Sequence, residues 1–98
     1  MVKLTIGNKA PLFTLPNMDN DPISLEKALQ GNWLVLYFYP KDDTPGCTLE
    51  AQDFTKLYPE FIKQKTQVFG ISPDSPQSHC KFFEKQKVKT PFLAYSLI

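Results

Sequence analysis

The residue best placed for chemistry is a cysteine that follows a threonine and a proline. Thr44-Pro45 reads as a helix start, with an oxygen-bearing N-cap and then proline at the first helical position. Cys47 then sits at the third helical position. The first turn of a helix holds unpaired backbone N–H groups and the positive end of the macrodipole. Both favour a thiolate over a thiol, and the thiolate is the nucleophile. The Thr44 hydroxyl can bond the cap or the sulfur, and Lys41 can add positive potential from the loop. The alternative is an inert cysteine filling a small gap, because free cysteine is among the most buried residue types.

The remaining reactive side chains form weaker patterns. His79 and Cys80 are adjacent, but Cys47 and Cys80 lack zinc-ligand spacing, so no metal site is expected. His79 is expected to be exposed in a first helical turn. Asp42-Asp43 is too local for paired acid–base work and reads as a solvated loop. Lys81, Lys85, Lys87 and Lys89 read as a solvated helix face. With no Cys-x-x-Cys, a thioredoxin-type disulfide oxidoreductase is disfavoured. All eleven cationic residues are lysines. Without arginine there is no bidentate guanidinium clamp, which argues against a cysteine phosphatase.

The elements that must position Cys47 follow from pattern. Residues 10–24 read as a hairpin, with a turn-rich stretch between Pro16 and Pro22. Ser24 can cap a helical turn through Leu29, closed by Gly31. Trp33 to Tyr39 is a continuous, aromatic, β-favouring run with the look of a central strand buried on both faces. After the loop Pro40–Gly46, the spacing of Ala51, Phe54, Tyr58, Phe61 and Ile62 predicts one apolar face of a helix over 45–64. Pro59 costs about 3 kcal/mol in a helix interior, so a kink or break is expected near Tyr58. A buried strand over 67–71, a helix over 75–87 opened by Ser75-Pro76, and a strand start at 91–95 complete the order. Strand, helix, strand, helix, strand means α/β with a parallel core.

Composition narrows the function classes. At 98 residues and net charge +1, the chain reads as a single domain over 1–98 with no electrostatic footprint for nucleic acid or an anionic membrane. Two cysteines do not make a secreted disulfide framework. The N-terminus lacks the apolar core of a signal peptide, and the longest apolar run is too short to span a bilayer. The expected compartment is a reducing cytoplasm.

The run Phe38 to Ala51 (FYPKDDTPGCTLEA) resembles the peroxidatic segment of the peroxiredoxins. More narrowly it is similar to the bacterioferritin comigratory protein, or Q-type, subfamily. The family pattern of proline, three residues, Thr or Ser, two residues and cysteine is matched by Pro40, Thr44 and Cys47. Gly7–Leu15, Trp33–Tyr39 and Gly70–Ser75 with Ser78-His79 are similar as well, so the likeness covers roughly residues 3–93. The resemblance implies an α/β, thioredoxin-like fold and a thiol-dependent peroxidase that needs no cofactor. Cys47 would attack the O–O bond of hydrogen peroxide or an organic hydroperoxide and become a sulfenic acid. Pro40 would shield the sulfur, Thr44 would bond the attacked peroxide, and amides around Gly46 and Cys47 would stabilise charge. Glu50 would help organise the site, or would simply complement the dipole from the first turn. Thioredoxin or another dithiol would return the electrons.

The sequence departs from that family in two ways. Gln52 stands where many members place a resolving cysteine, five residues after the first. Others resolve from the following long helix, at a position matching Phe83, and Cys80 lies about one turn earlier. Cys80 is therefore a candidate resolving residue. The active-site arginine that the family carries on a later strand has no counterpart, so the fold is expected to be incomplete at its C-terminus. The alternative function is a catalytically impaired remnant, at most a thiol-bearing interaction module. Without its second neighbour, the strand 33–39 would become an exposed sheet edge. The chain is therefore predicted to be weakly stable or to self-associate through that edge. A cooperative, concentration-independent unfolding transition at high stability would contradict this.

Overall fold

The computed structural model describes residues 5–95. The residues of the chain's first and last few positions, including 96–98 after the expected last strand, lie outside that range. The chain opens with an antiparallel hairpin, β1 (Thr14–Pro16) and β2 (Pro22–Ser24), in which Leu15 faces Ile23. The Asn17 side chain closes the turn by accepting from the amides of Asp19 and Asp21, both at 2.9 Å. Ser24 caps the short helix α1 (Leu25–Leu29) by accepting from the Lys27 amide. Gly31 then turns the chain at φ +69°, a conformation that costs glycine little.

Two strand–helix–strand units follow: β3 (Trp33–Phe38), α2 (Pro45–Lys63), β4 (Thr66–Ser72), α3 (Pro76–Lys85) and β5 (Phe92–Ala94). The three strands are parallel in the order β3-β4-β5, with Val35 beside Val68 and Gly70 beside Phe92. Strand alternation then sorts side chains to two faces. Tyr39 and Phe92 pack with Ala51 of α2 and with Phe82 and Val88 on one face, where Tyr37, Cys47 and Phe83 join them. Phe69, Ile71 and Leu93 face Ala28, the hairpin residues Leu15 and Ile23, and Leu34 and Leu36 on the other. The helices α2 and α3 therefore cover one face, and the hairpin with α1 covers the other.

Three details differ from the sequence reading. The strand that is buried on both faces is β4, not the run beginning at Trp33. Among the described residues β3 has a strand neighbour on one side only, the edge position expected for it, and Trp33 and Phe38 at its ends are 76% and 72% exposed. The helix α2 also runs through Pro59 without a break. Proline removes one N–H there, but the helix is held from its apolar side: Phe54 stacks on Tyr37 at 4.3 Å between ring centres and meets Phe61 about two turns later. Ile62, expected on that face, is instead 54% exposed.

Gly70 marks the tightest point of the sheet. A Cβ there would lie 2.6 Å from Tyr37 Cζ and 2.8 Å from Phe92 Cδ1. These are ring atoms packed within the core and cannot swing aside as a flexible chain end would. Gly70→Ala is expected to destabilise by about 1–3 kcal/mol through overpacking. The readout is a fall in Tm of about 4–8 °C per kcal/mol for a domain of this size. An unchanged Tm would show that the two rings yield freely.

Candidate active site

The loop after β3 carries the chain from the carboxyl edge of the parallel sheet into α2, which is where open α/β sheets bind ligands. Thr44 has the extended conformation of an N-cap, and Pro45 and Gly46 precede Cys47 in the first helical turn. The Thr44 hydroxyl does not cap the helix. It turns back and donates to the Lys41 carbonyl at 3.0 Å. The first bond into the helix runs from the Thr48 amide to the Thr44 carbonyl, 2.8 Å. The amides of Gly46 and Cys47 therefore have no intramolecular acceptor among the described residues. Cys47 is half-buried and packs against the cluster of Tyr39, Ala51, Phe82, Val88 and Phe92. The sulfur thus has one apolar side and two free N–H groups in its own turn. That arrangement can stabilise negative charge on sulfur or on an oxygen brought to it.

Pro40 is exposed at the start of the loop. Glu50 is exposed and lies in the second helical turn, and the first turn holds no acidic residue. The simple dipole-complementing role from the first turn is therefore not available to it. Gln52, at the position of the absent near cysteine, donates to Gln86 at 3.2 Å and ties α2 to the end of α3.

Cys80 is also half-buried, and both cysteines are free. Its only polar contact among the described residues is a weak one, to the Glu84 carboxylate at 3.9 Å. At 3.6 residues per turn, Cys80 sits about 60° around α3 from Phe83, which packs into the same cluster as Cys47. Among the described residues no group of three or more His, Cys, Asp or Glu could hold a metal ion.

The structure corrects the reading of two residues. His79 is 0% exposed, not a solvated first-turn residue, and Asp42 is 7% exposed, not part of a solvated loop. They form a buried pair, with His79 Nδ1 2.8 Å from Asp42 Oδ2. The other ring nitrogen, Nε2, lies 3.0 Å from the Leu93 carbonyl. Both ring nitrogens thus lie within hydrogen-bond distance of an oxygen. Asp42 also accepts from the Tyr39 hydroxyl at 2.5 Å and from the Ser78 hydroxyl at 2.7 Å. One signal in the sequence pointed to this burial: His79 stands three and four residues before Phe82 and Phe83, on one helical face. Nothing local pointed to Asp42, 37 residues from its partner.

Burial alone would raise the Asp42 carboxyl, but the hydrogen bonds from His79, Tyr39 and Ser78 outweigh it and hold it below the usual carboxylate value. Tyr39 moves the other way: burial, and then its bond to the Asp42 carboxylate, push the phenol far above its ordinary value. Burial also raises Tyr37, whose hydroxyl and that of Thr90 are the buried side-chain polar atoms without a partner among the described residues. Asp43 is exposed, and the bond from Lys85 at 2.6 Å lowers it.

Comparison with known proteins shows what the chain is similar to. The model of the AhpC/TSA family matches residues 6–95. The Helicobacter pylori protein that carries the peroxiredoxin bcp name is 55% identical over 85 residues, which is 87% of this chain and 55% of that protein. The chloroplastic peroxiredoxin Q of Sedum lineare is 45% identical over 94 residues, 96% of this chain and 49% of that protein. The chain therefore spans about half the length of the curated relatives it matches. Among solved structures, the Xanthomonas campestris bacterioferritin comigratory protein, studied for its alkyl peroxide reduction, superposes with a TM-score of 0.79. The match has 41% identity and covers 84% of this chain and 52% of that one.

The Asp42 environment predicts an acid response. Its folded carboxyl titrates below the ordinary value of 3.8. The stabilisation is therefore fully present above that value and is lost as pH falls through the lower, folded one. Unfolding free energy should fall as pH drops below about 4, and fall less steeply in Asp42→Asn. Denaturant titrations of both proteins across that window give the two slopes. Equal slopes would remove Asp42 from the acid response.

Proposed function

Because the chain belongs to the AhpC/TSA family, we propose that it acts as a thiol-dependent peroxidase with Cys47 as the peroxidatic nucleophile. The observation that carries this reading is the position of the Cys47 sulfur in a first helical turn whose Gly46 and Cys47 amides lack other acceptors. A lone pair of the thiolate attacks the nearer peroxide oxygen, an S–O bond forms and the O–O bond breaks. The departing oxygen takes a proton and leaves as water or an alcohol, and Cys47 remains as sulfenic acid. The free amides stabilise the charge that develops on the reacting oxygens. The Thr44 hydroxyl either keeps its bond to the Lys41 carbonyl and accepts from the peroxide, or turns to donate to it. Pro40 screens the sulfur from the solvent side, and Glu50 orders the site from the second turn of α2.

In this reading Cys80 attacks the sulfenic acid, forming the disulfide and releasing water. Two sulfurs bond only when their Cα atoms come within about 7 Å, so the step requires α2 or α3 to unwind locally. Thioredoxin or another dithiol then reduces the disulfide. A reducing cytoplasm is the compartment that suits such a cycle; the Sedum lineare relative, 45% identical, is named chloroplastic. The side of β3 that has no strand neighbour among the described residues is the surface through which copies would self-associate.

Peroxide consumption with a thioredoxin-regenerating system tests the reading. Cys47→Ser is expected to lower the rate at least about 100-fold, since the nucleophile itself is removed. Equal rates for the two proteins would sink the proposal. After one equivalent of peroxide, mass spectrometry of digested wild type should reveal a Cys47–Cys80 linked peptide. Its absence, with Cys47 oxidised, would take the resolving role away from Cys80.

A further inference from the structure

We propose that Asp42 and His79 are positioning residues: their buried pair clamps the loop Pro40–Thr44, and with it the first turn of α2, onto α3 and β5. The effect on peroxide chemistry rests on the function proposed above; the clamp itself does not.

The argument starts from how many elements meet at one carboxylate. Asp42 takes hydrogen bonds from Tyr39 just past the end of β3 and from Ser78 and His79 of α3. Its own amide donates to Asp74 at 2.7 Å, and Asp74 in turn accepts from Ser72 at the end of β4. His79 carries the connection on to the Leu93 carbonyl in β5. One loop residue is thus joined to all three strands and to α3. The next residue, Asp43, adopts φ +60°, which Asp tolerates better than most side chains. Its carboxylate is held at the far end of α3 by Lys85 at 2.6 Å and Gln86 at 3.2 Å. Both loop carboxylates therefore grip the same helix.

Stability alone is a weak reason for such a pair, since apolar residues of similar volume often stabilise a core as well or better. Hydrogen bonds add direction, which apolar packing does not. Asp42 lies two residues before Thr44, and the Thr44 hydroxyl is tied to the Lys41 carbonyl on the other side of Asp42. Any shift of the Asp42 peptide moves Thr44 and the start of α2. Displacements of about 1 Å at a reacting centre can cost about 100-fold in rate.

The test separates reactions that differ in how much geometry they need. In a Cys80→Ser background, Cys47 is the sole thiol. Its rate with hydrogen peroxide requires Thr44 and the free amides to be arranged around two oxygens. Its alkylation by iodoacetamide requires only an accessible thiolate. Asp42→Asn is expected to lower the peroxide rate by about 10–100-fold while changing alkylation less than about 3-fold. Ser78→Ala should shift the ratio in the same direction by a smaller factor. Rates that fall together, or a ratio equal to that of the parent, would overturn the proposal. If Asp42→Asn fails to fold by circular dichroism, Ser78→Ala decides through amide exchange. Faster exchange at Asp42–Thr44, with the sheet unchanged, supports the clamp, and unchanged exchange overturns it. If the parent reacts with peroxide no faster than free cysteine, the peroxidase reading fails, and the exchange result judges the clamp by itself.

Discussion

A carboxylate and an imidazole share a pocket from which water is excluded, and the geometry of the Cys47 loop follows from their pairing. Burying either group alone would be costly, because an unpaired buried charge loses its hydration without return. Together, and with Tyr39, Ser78 and the Leu93 carbonyl completing their hydrogen bonds, they satisfy one another. Each of those partners belongs to a different segment of the chain, so the pair is complete only when β3, α3 and β5 are in place. A five-residue loop containing a left-handed Asp43 has little reason of its own to hold one shape. It gains that shape from the helix it is fastened to.

The same arrangement explains why Cys47 is neither fully buried nor fully exposed. On its protein side lie the aromatic rings of Tyr39, Phe82 and Phe92, which interlock with centroid separations of 5.2–6.4 Å. These rings stand on β5, on α3 and at the end of β3, around the histidine of the buried pair, whose own ring is 5.4 Å from Phe92. Apolar packing sets how close α3 comes to the sheet, and the polar pair sets where along α3 the loop attaches. A glycine at position 70 lets Tyr37 and Phe92 cross the sheet surface at close range, which keeps that cluster compact.

Much of this was legible in the order of residues. The Thr44-Pro45 and Ser75-Pro76 pairs each mark a helix start, and in the structure α2 and α3 begin at those prolines. Capping is chemistry between neighbours, and neighbours are visible in a sequence. The buried strand expected over 67–71 and the helical spacing of Ala51 and Phe54 likewise correspond to β4 and to the apolar side of α2. The failures share a cause. Trp33–Tyr39 has the composition of a strand buried on both faces, yet β3 is only partly buried, because what packs on each face is set by other elements and not by its composition. Pro59 has a local cost, but the stacking of Phe54 on Tyr37 that holds α2 is a contact across elements. Thr44 has the right residue type for a cap, and its hydroxyl chose the Lys41 carbonyl instead.

The sequence by itself determined the family, the parallel α/β order and the placement of one cysteine in a first helical turn. Each of these rests on residue type and short spacing, and local sterics and hydrogen bonding act over a few residues. Only the tertiary structure decided that Asp42 and His79 are partners, that the loop is bound to α3 at two points, and that β4 is the covered strand. Those outcomes depend on groups tens of residues apart meeting where water is absent. Whether a carboxylate or an imidazole is solvated or paired is set by that meeting and by nothing in its immediate neighbours.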